Sequence, residues 1–413
     1  TSHPSPLTSH LSPPTPNSSL RLSATVSNIC PSALGLTDRW PGASFSATVN
    51  ADLTLVGEKG KSPVTDAIGH VSLDNFTMRS ATDSTLCHID HLQADARHAE
   101  GRRVLKVIGD MGLCELSGQF DWNTLPHSLA AYVASKLPTL PGLQSVIDQT
   151  LAHDPAAAKR LNAFSLNLHL TDTRWLQALL NIPLTLGQSL RLTATVDDRR
   201  HTIDMHGSLP SFTYAANNYR DLSLNLTTQG DTALCNASLT KLNNGGGLLA
   251  LSLGLTAADN NINTSIAWQS TPPATGDTLR TSKGVINAVT QLYANSQRHP
   301  EAHISVQPSL IHVGDRPWYI RPCNINYSDK RLEVDSFAIS HGSQHLIIDG
   351  TASTMAADTL TADMNGIDIA YVQDLLDFHP VDFAGLLSGQ ARATSLFSNR
   401  RSEERRVGKE CRS

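Results

Sequence analysis

Apolar residues alternate with Ser, Thr, Asn and charged residues along most of this chain. Phe45, Val49 and Leu53, for example, share one parity in a run whose intervening positions are largely polar. A period of two predicts β-strands with one buried face and one solvated face. Such runs cover Leu20–Val26, Phe45–Leu55, Phe164–Leu170, Leu190–Val196, Leu222–Leu226 and Leu249–Leu255.

Asn, Asp and Gly punctuate these runs at short intervals, and these residues favour tight hairpin turns. We therefore predict a long antiparallel meander, because parallel strands need long crossovers. Turns are expected at Asp197–His201, Gly230-Asp231, Asn243–Gly247, Asp259–Asn261, Gly314-Asp315, Ser328–Lys330, His341–Ser343 and Asp349-Gly350.

Helical spacing interrupts this pattern at few places. A helical insertion near residues 126–161 is split by Pro138 and Pro141. Two shorter helices are predicted at Thr173–Leu180 and at 369–377, and we predict a loop or short helix over 276–300.

The composition agrees with half-exposed β-structure. Of 413 residues, 40% are hydrophobic, 17% charged and 5% aromatic, and Ser, Thr, Asn and Gly make up much of the rest. Strands continue with no clear interior linker, and a compact sandwich is usually about 100 residues. The predicted fold class is therefore mainly β: an elongated, curved antiparallel sheet, an open β-groove, in which each strand contacts mainly its neighbours.

The expected organisation follows. Residues 1–19 form a disordered Pro/Ser-rich start of a fragment, and 20–275 a repetitive β-groove that carries the helical insertion. After the segment 276–300, the groove repeat continues over 301–400 with the helix at 369–377. The last segment, 401–413, has five basic and three acidic residues; we interpret it as a sequencing artefact and exclude it from fold reasoning.

Several function classes have little support in the sequence. A formal charge of −5 without a basic patch argues against nucleic-acid binding. Six widely spaced cysteines without a CxxC pair argue against a disulfide scaffold, although one or two disulfides stay open. No apolar run is long enough to span a bilayer as a helix.

Candidate catalytic and metal-binding groups are weak. In the cluster Cys87–His91, an extended strand would place His88 and His91 on opposite faces. His341 and His345 flank a predicted turn. Neither pair has a third ligand at a typical metal-site spacing. Phosphate-loop and nucleophile-elbow motifs are absent from the sequence, so we expect no enzyme activity, metal or cofactor.

The aliphatic face of the predicted sheet remains as the functional candidate. A groove of Leu, Ile and Val without fixed polar anchors suits acyl chains, and the alternative is that this face packs as an ordinary core. The predicted lining residues are Phe45, Val49, Leu53, Leu166, Leu168, Leu192, Leu222, Leu224, Leu251, Leu253, Leu346 and Ile348.

The stretch from Pro308 to Thr394 resembles the repeat unit of TamB proteins of the Bacteroidetes type, within the AsmA-like group. The residues that carry this resemblance are Asp315, Trp318, Tyr327, Phe337, Ser340–Gly342, Ile348–Gly350, Gly385 and Gly389, with Gly118–Trp122 as a further match.

The resemblance implies a periplasmic protein of the cell envelope, held in the inner membrane by an N-terminal anchor that is missing here. It also implies a β-groove that shields acyl chains during phospholipid transport between the inner and outer membranes. One alternative is an assembly factor for outer-membrane β-barrel proteins that acts with a TamA-like barrel. Another, from the strand pattern alone, is an adhesin-like surface stalk.

Overall fold

The protein is represented by a computed structural model that describes residues 18–56, 66–82, 84–121, 124–140, 161–243, 246–272, 281–294, 299–368 and 385–397. This part of the chain contains 23 strands and two helices. Every strand pairing described is antiparallel, so the predicted mainly β, antiparallel class is confirmed.

The first group of strands is β1 (Ser18–Ile29), β2 (Ser44–Val56), β3 (Asp66–Arg79), β4 (Thr85–Ala99), β5 (Arg102–Gly109), β6 (Gly112–Gln119), β7 (Ala163–Leu170), β8 (Leu184–Leu186), β9 (Leu190–Asp197), β10 (Thr202–Tyr214), β11 (Asn217–Gln229) and β12 (Thr232–Leu242). The helices are α1 (Leu125–Lys136) and α2 (Arg174–Leu180).

The second group of strands is β13 (Leu248–Ala258), β14 (Asn261–Thr271), β15 (Ser282–Ala294), β16 (Pro300–Val306), β17 (Ser309–Val313), β18 (Arg316–Ile320), β19 (Cys323–Ser328), β20 (Arg331–His341), β21 (Gln344–Ala352), β22 (Thr359–Asp368) and β23 (Leu386–Thr394).

The chain divides into two compact units. Unit 1 comprises Thr1–Lys136 and Gly142–Leu242, and unit 2 comprises Leu137–Pro141 and Asn243–Ser413. In unit 1 each strand pairs with the next along the chain, except that β7 and β9 are direct neighbours and the short β8 pairs with the end of β10. Unit 1 is therefore the meander that the turn residues predict.

Unit 2 is also a meander, with two of its strands interrupted. β15 pairs with both β16 and β17, and β20 pairs with both β18 and β19. The interruptions lie at Gln307-Pro308 and Arg321-Pro322. Proline has no N–H to donate, so it breaks a strand ladder where it occurs.

Bulges interrupt several pairs, and most coincide with a residue at positive φ: Asn28, Asn75, Asp221, Ser336 or Gly366. An extra residue in one strand leaves a backbone group unpaired. A side chain on the facing strand often supplies the missing hydrogen-bond partner. Ser46 Oγ accepts from the Asn28 N–H at 2.9 Å, and Ser388 Oγ from the Gly366 N–H at 2.8 Å.

The turn predicted at Asp349-Gly350 is wrong, because both residues lie inside β21. Asp349 instead faces the bulge of β20, where its Oδ1 accepts from the Ser336 N–H at 3.0 Å and from the Ser336 hydroxyl at 2.8 Å. Gly350 has a φ of +107°, and an added Cβ would lie 2.3 Å from the Thr359 carbonyl oxygen. Glycine at this position therefore allows the backbone of β21 to approach β22 closely.

The prediction for 276–300 is also wrong over most of its length, because β15 occupies Ser282–Ala294. Val285, Val289 and Leu292 have helical spacing, which obscures the strand. In the structure Ile286 and Leu292 point to the more buried side while Val285 and Tyr293 are exposed. Pairing with β14 on one side and with β16 and β17 on the other satisfies the β15 backbone and overrides the local preference.

The helix predictions are partly confirmed. α1 occupies the start of the predicted insertion, and Pro126 falls in its first turn, where a missing N–H is tolerated. α2 matches the prediction at Thr173–Leu180 and ends at Asn181 in the left-handed conformation. The helix expected at 369–377, the insertion beyond 140, the start up to residue 17 and the tail 401–413 lie outside the described residues. Ser18 and Ser19, predicted disordered, belong to β1.

Replacement of Asp349 by Ala should destabilise the β20–β21 pair by about 1–2 kcal/mol, because the bulged Ser336 N–H loses a charged acceptor. Hydrogen–deuterium exchange of a peptide spanning Arg331–His341 should accelerate. Asp349→Asn keeps an acceptor oxygen and should retain most of the protection. Asp335→Ala, at an exposed position of β20 beside the bulge, should change the exchange little. Unchanged exchange in Asp349→Ala would contradict this role.

Candidate apolar groove

The strands of unit 1 have one aliphatic and one polar side. In β7, Leu166 and Leu168 are half-buried, whereas Ser165 and Asn167 are exposed. Leu168 lies opposite Cys114 on one neighbouring strand and Leu192 on the other. Directly opposed residues share a face in an antiparallel pair, so the aliphatic side continues from strand to strand.

This continuity extends from β1 to β12. We call the first line of opposed residues the central apolar row: Leu22, Ala51, Val71, Ala94, Val107, Cys114, Leu168, Leu192, Gly207, Leu224 and Ala237.

A second line of opposed residues runs beside it on the same face. This second apolar row consists of Leu20, Leu53, Gly69, Ala96, Leu105, Leu116, Leu166, Ala194, Met205, Leu226 and Cys235. Neither row contains a charged residue or a hydroxyl or amide side chain. Together the rows form an uncharged strip that crosses the strands of unit 1.

The strip is largely half-exposed and is not a closed core. Of the two rows, Leu116 and Ala194 are buried, while Leu22 is 47% exposed. The twelve predicted lining residues all have intermediate burial. An ordinary core position would be almost fully excluded from water. The side chains of this face are therefore partly covered by their neighbours and still reach solvent.

The structure brings together the eight predicted lining residues of unit 1 on this one face. Leu222, for instance, lies opposite the buried Leu209, two residues along from the Gly207–Leu224 pair and on the same face. The full set is Phe45, Val49, Leu53, Leu166, Leu168, Leu192, Leu222 and Leu224. Sequence alternation was sufficient to predict that these eight residues share a face.

The four predicted lining residues of unit 2 also share a face with apolar partners. The opposed pairs are Leu251 with Trp268, Leu253 with Ile266, Leu346 with Ile339, and Ile348 with Phe337. Here the face is partly filled by its own aromatic residues. Trp268, Phe337 and Ile339 pack against a buried cluster of Val306, Ile311, Trp318, Ile320 and Cys323. The sequence prediction missed this cluster, although Trp318 had appeared as a motif residue.

One end of the aliphatic face in unit 1 is covered by α2 and the turn before β2. Trp40 packs edge-on against Phe45 with ring centroids 5.5 Å apart, and Trp175 of α2 joins the same cluster around the buried Met78 and Cys87. Burial raises the pKa of the Cys87 thiol. These contacts make an aromatic rim at the strand ends that include the start of β2 and of β4.

α1 covers the opposite strand ends, where β7 begins and β9 ends. Its position is fixed by a buried polar network around Asn162, which is 1% exposed. The Asn162 amide nitrogen donates to Thr124 Oγ1 at 3.0 Å and to Ser128 Oγ, and Asp198 Oδ2 accepts from Ser128 Oγ at 2.7 Å. Farther along α1, Tyr132 Oη lies 2.9 Å from Thr228 Oγ1 on β11. The strip thus has a rim at each set of strand ends.

The other face of unit 1 is polar and carries complementary charges. Its central row begins with Arg21, Asp52, His70, Asp95, Lys106 and Glu115 on successive strands. The Arg21 guanidinium lies 3.2 Å from Asp52, and His70 lies 2.9 Å from Asp95. The hydrogen bond from His70 lowers the pKa of Asp95. The two faces of unit 1 therefore differ in chemistry: one is aliphatic, and the other carries paired charged groups that interact well with water.

The prediction that His88 and His91 point to opposite faces is wrong. On the apolar side of β4 lie the buried Cys87 and Ile89 before an irregular step and the partly buried, even-numbered Leu92 after it, so the parity changes between them. His88 lies 2.7 Å from Asp90 and His91 lies 2.5 Å from Asp74, both on the polar side. The Asp110 carboxylate accepts from the N–H groups of Asp90 and His91 at this step.

These carboxylate and imidazole groups form hydrogen bonds with one another. A cleft between β4 and α2 is lined by His88, Asp90, Asp110, Arg174 and Trp175 among others, but Arg174 is held by Asp172 and Asp110 by the backbone of β4. No cluster of three or more potential metal ligands occurs in the described ranges. His341 and His345 separate: His341 contacts Trp318, and His345 pairs with Asp363 on the other face.

Comparison with protein-family models, curated proteins and solved structures finds no match to this chain. Among its described residues, neither helix has the length and apolarity needed to cross a bilayer.

The His91–Asp74 pair should make stability depend on pH. Hydrogen bonding to Asp74 raises the pKa of His91, and the same bond lowers the pKa of Asp74. Protonated His91 stabilises the fold, and this contribution is fully present below the pKa of His91 in the unfolded state. It is lost as the pH rises through the raised pKa of the folded state. The contribution of the Asp74 carboxylate is lost as the pH falls through its lowered folded-state pKa. The pair therefore stabilises most at mildly acidic pH, above the carboxylate pKa.

His91→Gln should reduce the urea midpoint of unit 1 more at pH 5.5 than at pH 8.5, when both are compared with the wild type. Because the His91 and Asp74 side chains are 48% and 30% exposed, the change should be small. His169→Gln, at a polar-side position of β7, serves as the matched control. An equal effect of His91→Gln at both pH values would contradict the pairing.

Proposed function

We propose that the apolar strip of unit 1 binds lipid acyl chains, and that the protein is a segment of a groove that carries phospholipids between membranes. The observation that supports this is the uninterrupted pair of apolar rows, half-exposed and without charge from β1 to β12. Acyl chains offer no hydrogen bonds and gain by leaving water. A surface with neither charge nor polar anchor matches that chemistry.

The dimensions of the strip favour a conduit over a single binding site. Neighbouring strands of a sheet lie about 4.8 Å apart, and each row has one residue on every strand from β1 to β12 except the short β8. The strip is thus longer than one acyl chain of roughly 20 Å. A ligand can move along it without meeting a polar or charged side chain, as transport requires.

The partial exposure of the apolar face favours this proposal over the stalk alternative. A stalk built as a sandwich would cover its apolar faces with a second sheet layer. Within the described ranges of unit 1, α1, α2 and the turn around Trp40 cover the strand ends, and the rows between remain half-exposed. The resemblance to TamB proteins is the ground on which we propose a location in the cell envelope. The membrane anchor and the TamA-like partner are part of the same proposal.

A second candidate is an assembly factor that adds client strands to the edge of its sheet. In the described part of the chain, β1 pairs with β2 alone, and it contains neither Pro nor Lys to block an edge. An extended client strand could therefore continue the sheet. Cysteine at Ser19 or Ser23 should cross-link to a cysteine-bearing client strand if this function holds, and an absence of adducts would exclude β1 as the acceptor.

Leu224→Asp should remove most bound lipid from the purified full chain, because it places a carboxylate in the central apolar row. Asn225→Asp is the matched control, since it puts the same charge one residue away on the polar face, where His206 lies 2.7 Å from Asn225. Lipid per mole of protein, measured by mass spectrometry, should fall several-fold in Leu224→Asp alone. Wild-type lipid content in a folded Leu224→Asp protein would refute acyl-chain binding on this face.

A further inference from the structure

Two tryptophans in the buried cluster of unit 2 carry hydrogen-bond donors without an acceptor. They are Trp268 on β14 and Trp318 on β18; protein atoms enclose both indole nitrogens, and neither has a hydrogen-bond partner in the described part of the chain. The Trp175 indole of unit 1, by contrast, donates to the Asp172 carbonyl oxygen at 3.2 Å. Buried donors are rarely left unpaired, because a desolvated N–H without an acceptor costs free energy. The two indole groups are therefore exceptions within this fold.

The two rings lie on one face of unit 2, in a single line of opposed residues. Leu251, Trp268, Gly284, Ile311 and Trp318 follow one another across β13, β14, β15, β17 and β18. No residue of this line is charged or carries a hydroxyl or amide side chain. The line therefore offers no side-chain acceptor to either indole, and no cation that would favour an anionic ligand.

The Trp268 ring lies over Gly284, which has no side chain. A Cβ added to Gly284 would lie 2.8 Å from Cη2 of Trp268 and 2.5 Å from Cγ2 of Ile311. Two residues before Trp268, on the same face of β14, Ile266 is 44% exposed and has an aliphatic partner on each neighbouring strand. Trp268 thus stands between the buried cluster and a row of partly exposed aliphatic side chains.

Trp318 is more completely enclosed than Trp268. It is 7% exposed and lies opposite the buried Ile311, and its ring centroid is 5.8 Å from that of His341. Trp268 is instead only partly buried as a residue, although its nitrogen is covered. A change in its side-chain torsions can move the ring off Gly284 while β14 stays paired on both sides. Trp268 is therefore the indole that a ligand on the aliphatic row can reach.

We propose that unit 2 contains a subsite for an acyl ester, in which the hydrocarbon chain lies on the row around Ile266 and the ester carbonyl oxygen accepts from Trp268 Nε1. The Trp268 ring moves off Gly284 to admit the chain, and its N–H gains the acceptor that it lacks. A neutral carbonyl suits this position, because a carboxylate or phosphate would require a cation. The inference goes beyond the unit 1 strip and rests on the proposed function only in taking an acyl chain as the ligand.

The test measures whether the purified, delipidated full chain prefers an ester over a hydrocarbon. The probes are methyl oleate and an alkene of the same chain length, and their dissociation constants are measured in a Leu224→Asp background, which disables the strip of unit 1. The ester should bind about threefold to tenfold more tightly, as expected for one neutral hydrogen bond. Adding Trp268→Phe keeps an aromatic ring without the N–H and should remove this preference. Adding Trp318→Phe, the matched control, should retain it.

A second readout follows the ring itself. Methyl oleate should shift the tryptophan emission of the Leu224→Asp protein to longer wavelength, because the Trp268 indole leaves the apolar cluster and gains a polar partner. The shift should be absent when Trp268→Phe is added. Gly284→Ala should produce a similar shift without ligand, because the new Cβ displaces the Trp268 ring.

The outcomes separate this inference from the proposed function. Equal affinity for the two probes, an ester preference that survives Trp268→Phe, or one that Trp318→Phe removes equally would overturn the subsite. Binding by the wild type but not by Leu224→Asp would also overturn it and would leave the proposed function intact. If neither protein binds either probe, acyl-chain binding fails in both units. Circular dichroism and the thermal midpoint of each variant exclude misfolding as the cause.

Discussion

The register between neighbouring strands is the constraint on which the rest of this structure depends. Side chains alternate across a strand, so a slip of one residue would transfer every apolar residue to the polar face. In unit 1 the pairing keeps Leu168 between Cys114 and Leu192, and His206 opposite Asn225. The two faces therefore remain chemically distinct over many strands.

Bulges are compatible with this constraint, and in the β3–β4 pair a change of parity in one strand is matched by its neighbour. In β3, the side chains facing the apolar side change from Leu73 to Phe76 around Asn75, which has positive φ. In β4 they change from Ile89 to Leu92. The paired changes keep Phe76 opposite Ile89 and Leu73 opposite Leu92. The aliphatic face thus stays continuous through the irregularity.

A half-exposed aliphatic face has a thermodynamic cost. Full burial of a Leu or Val side chain is worth about 1.5–3 kcal/mol, and partial exposure forfeits part of it. Unit 2 reduces this loss by packing Trp268 and Trp318 around Ile311, and its Gly284 leaves room for the Trp268 ring. Unit 1 instead has most of its well-buried residues at the rims, and most described residues of the strip between them are only partly buried. An acyl chain on the strip would recover the missing burial.

Strict alternation made the strands of unit 1 predictable, and also the common face of its eight candidate residues, because a period of two has only one structural interpretation over long runs. β15 was missed because Val285, Val289 and Leu292 also fit a helix, and only its pairing partners decide the outcome. Asp349-Gly350 resembles a turn but satisfies a bulge. The positions of His88 and His91 depend on an irregular step that leaves no mark in the sequence.

The central claim is that the uncharged strip, and not the polar face, meets acyl chains. A photoreactive amino acid placed singly at Leu192 or at the adjacent Thr193 tests it most directly, because these positions differ in face and not in location along the sheet. After irradiation in cells, mass spectrometry of the purified chain should show phospholipid adducts at position 192 and few at 193. Equal labelling at both positions, or labelling at 193 alone, would contradict the account.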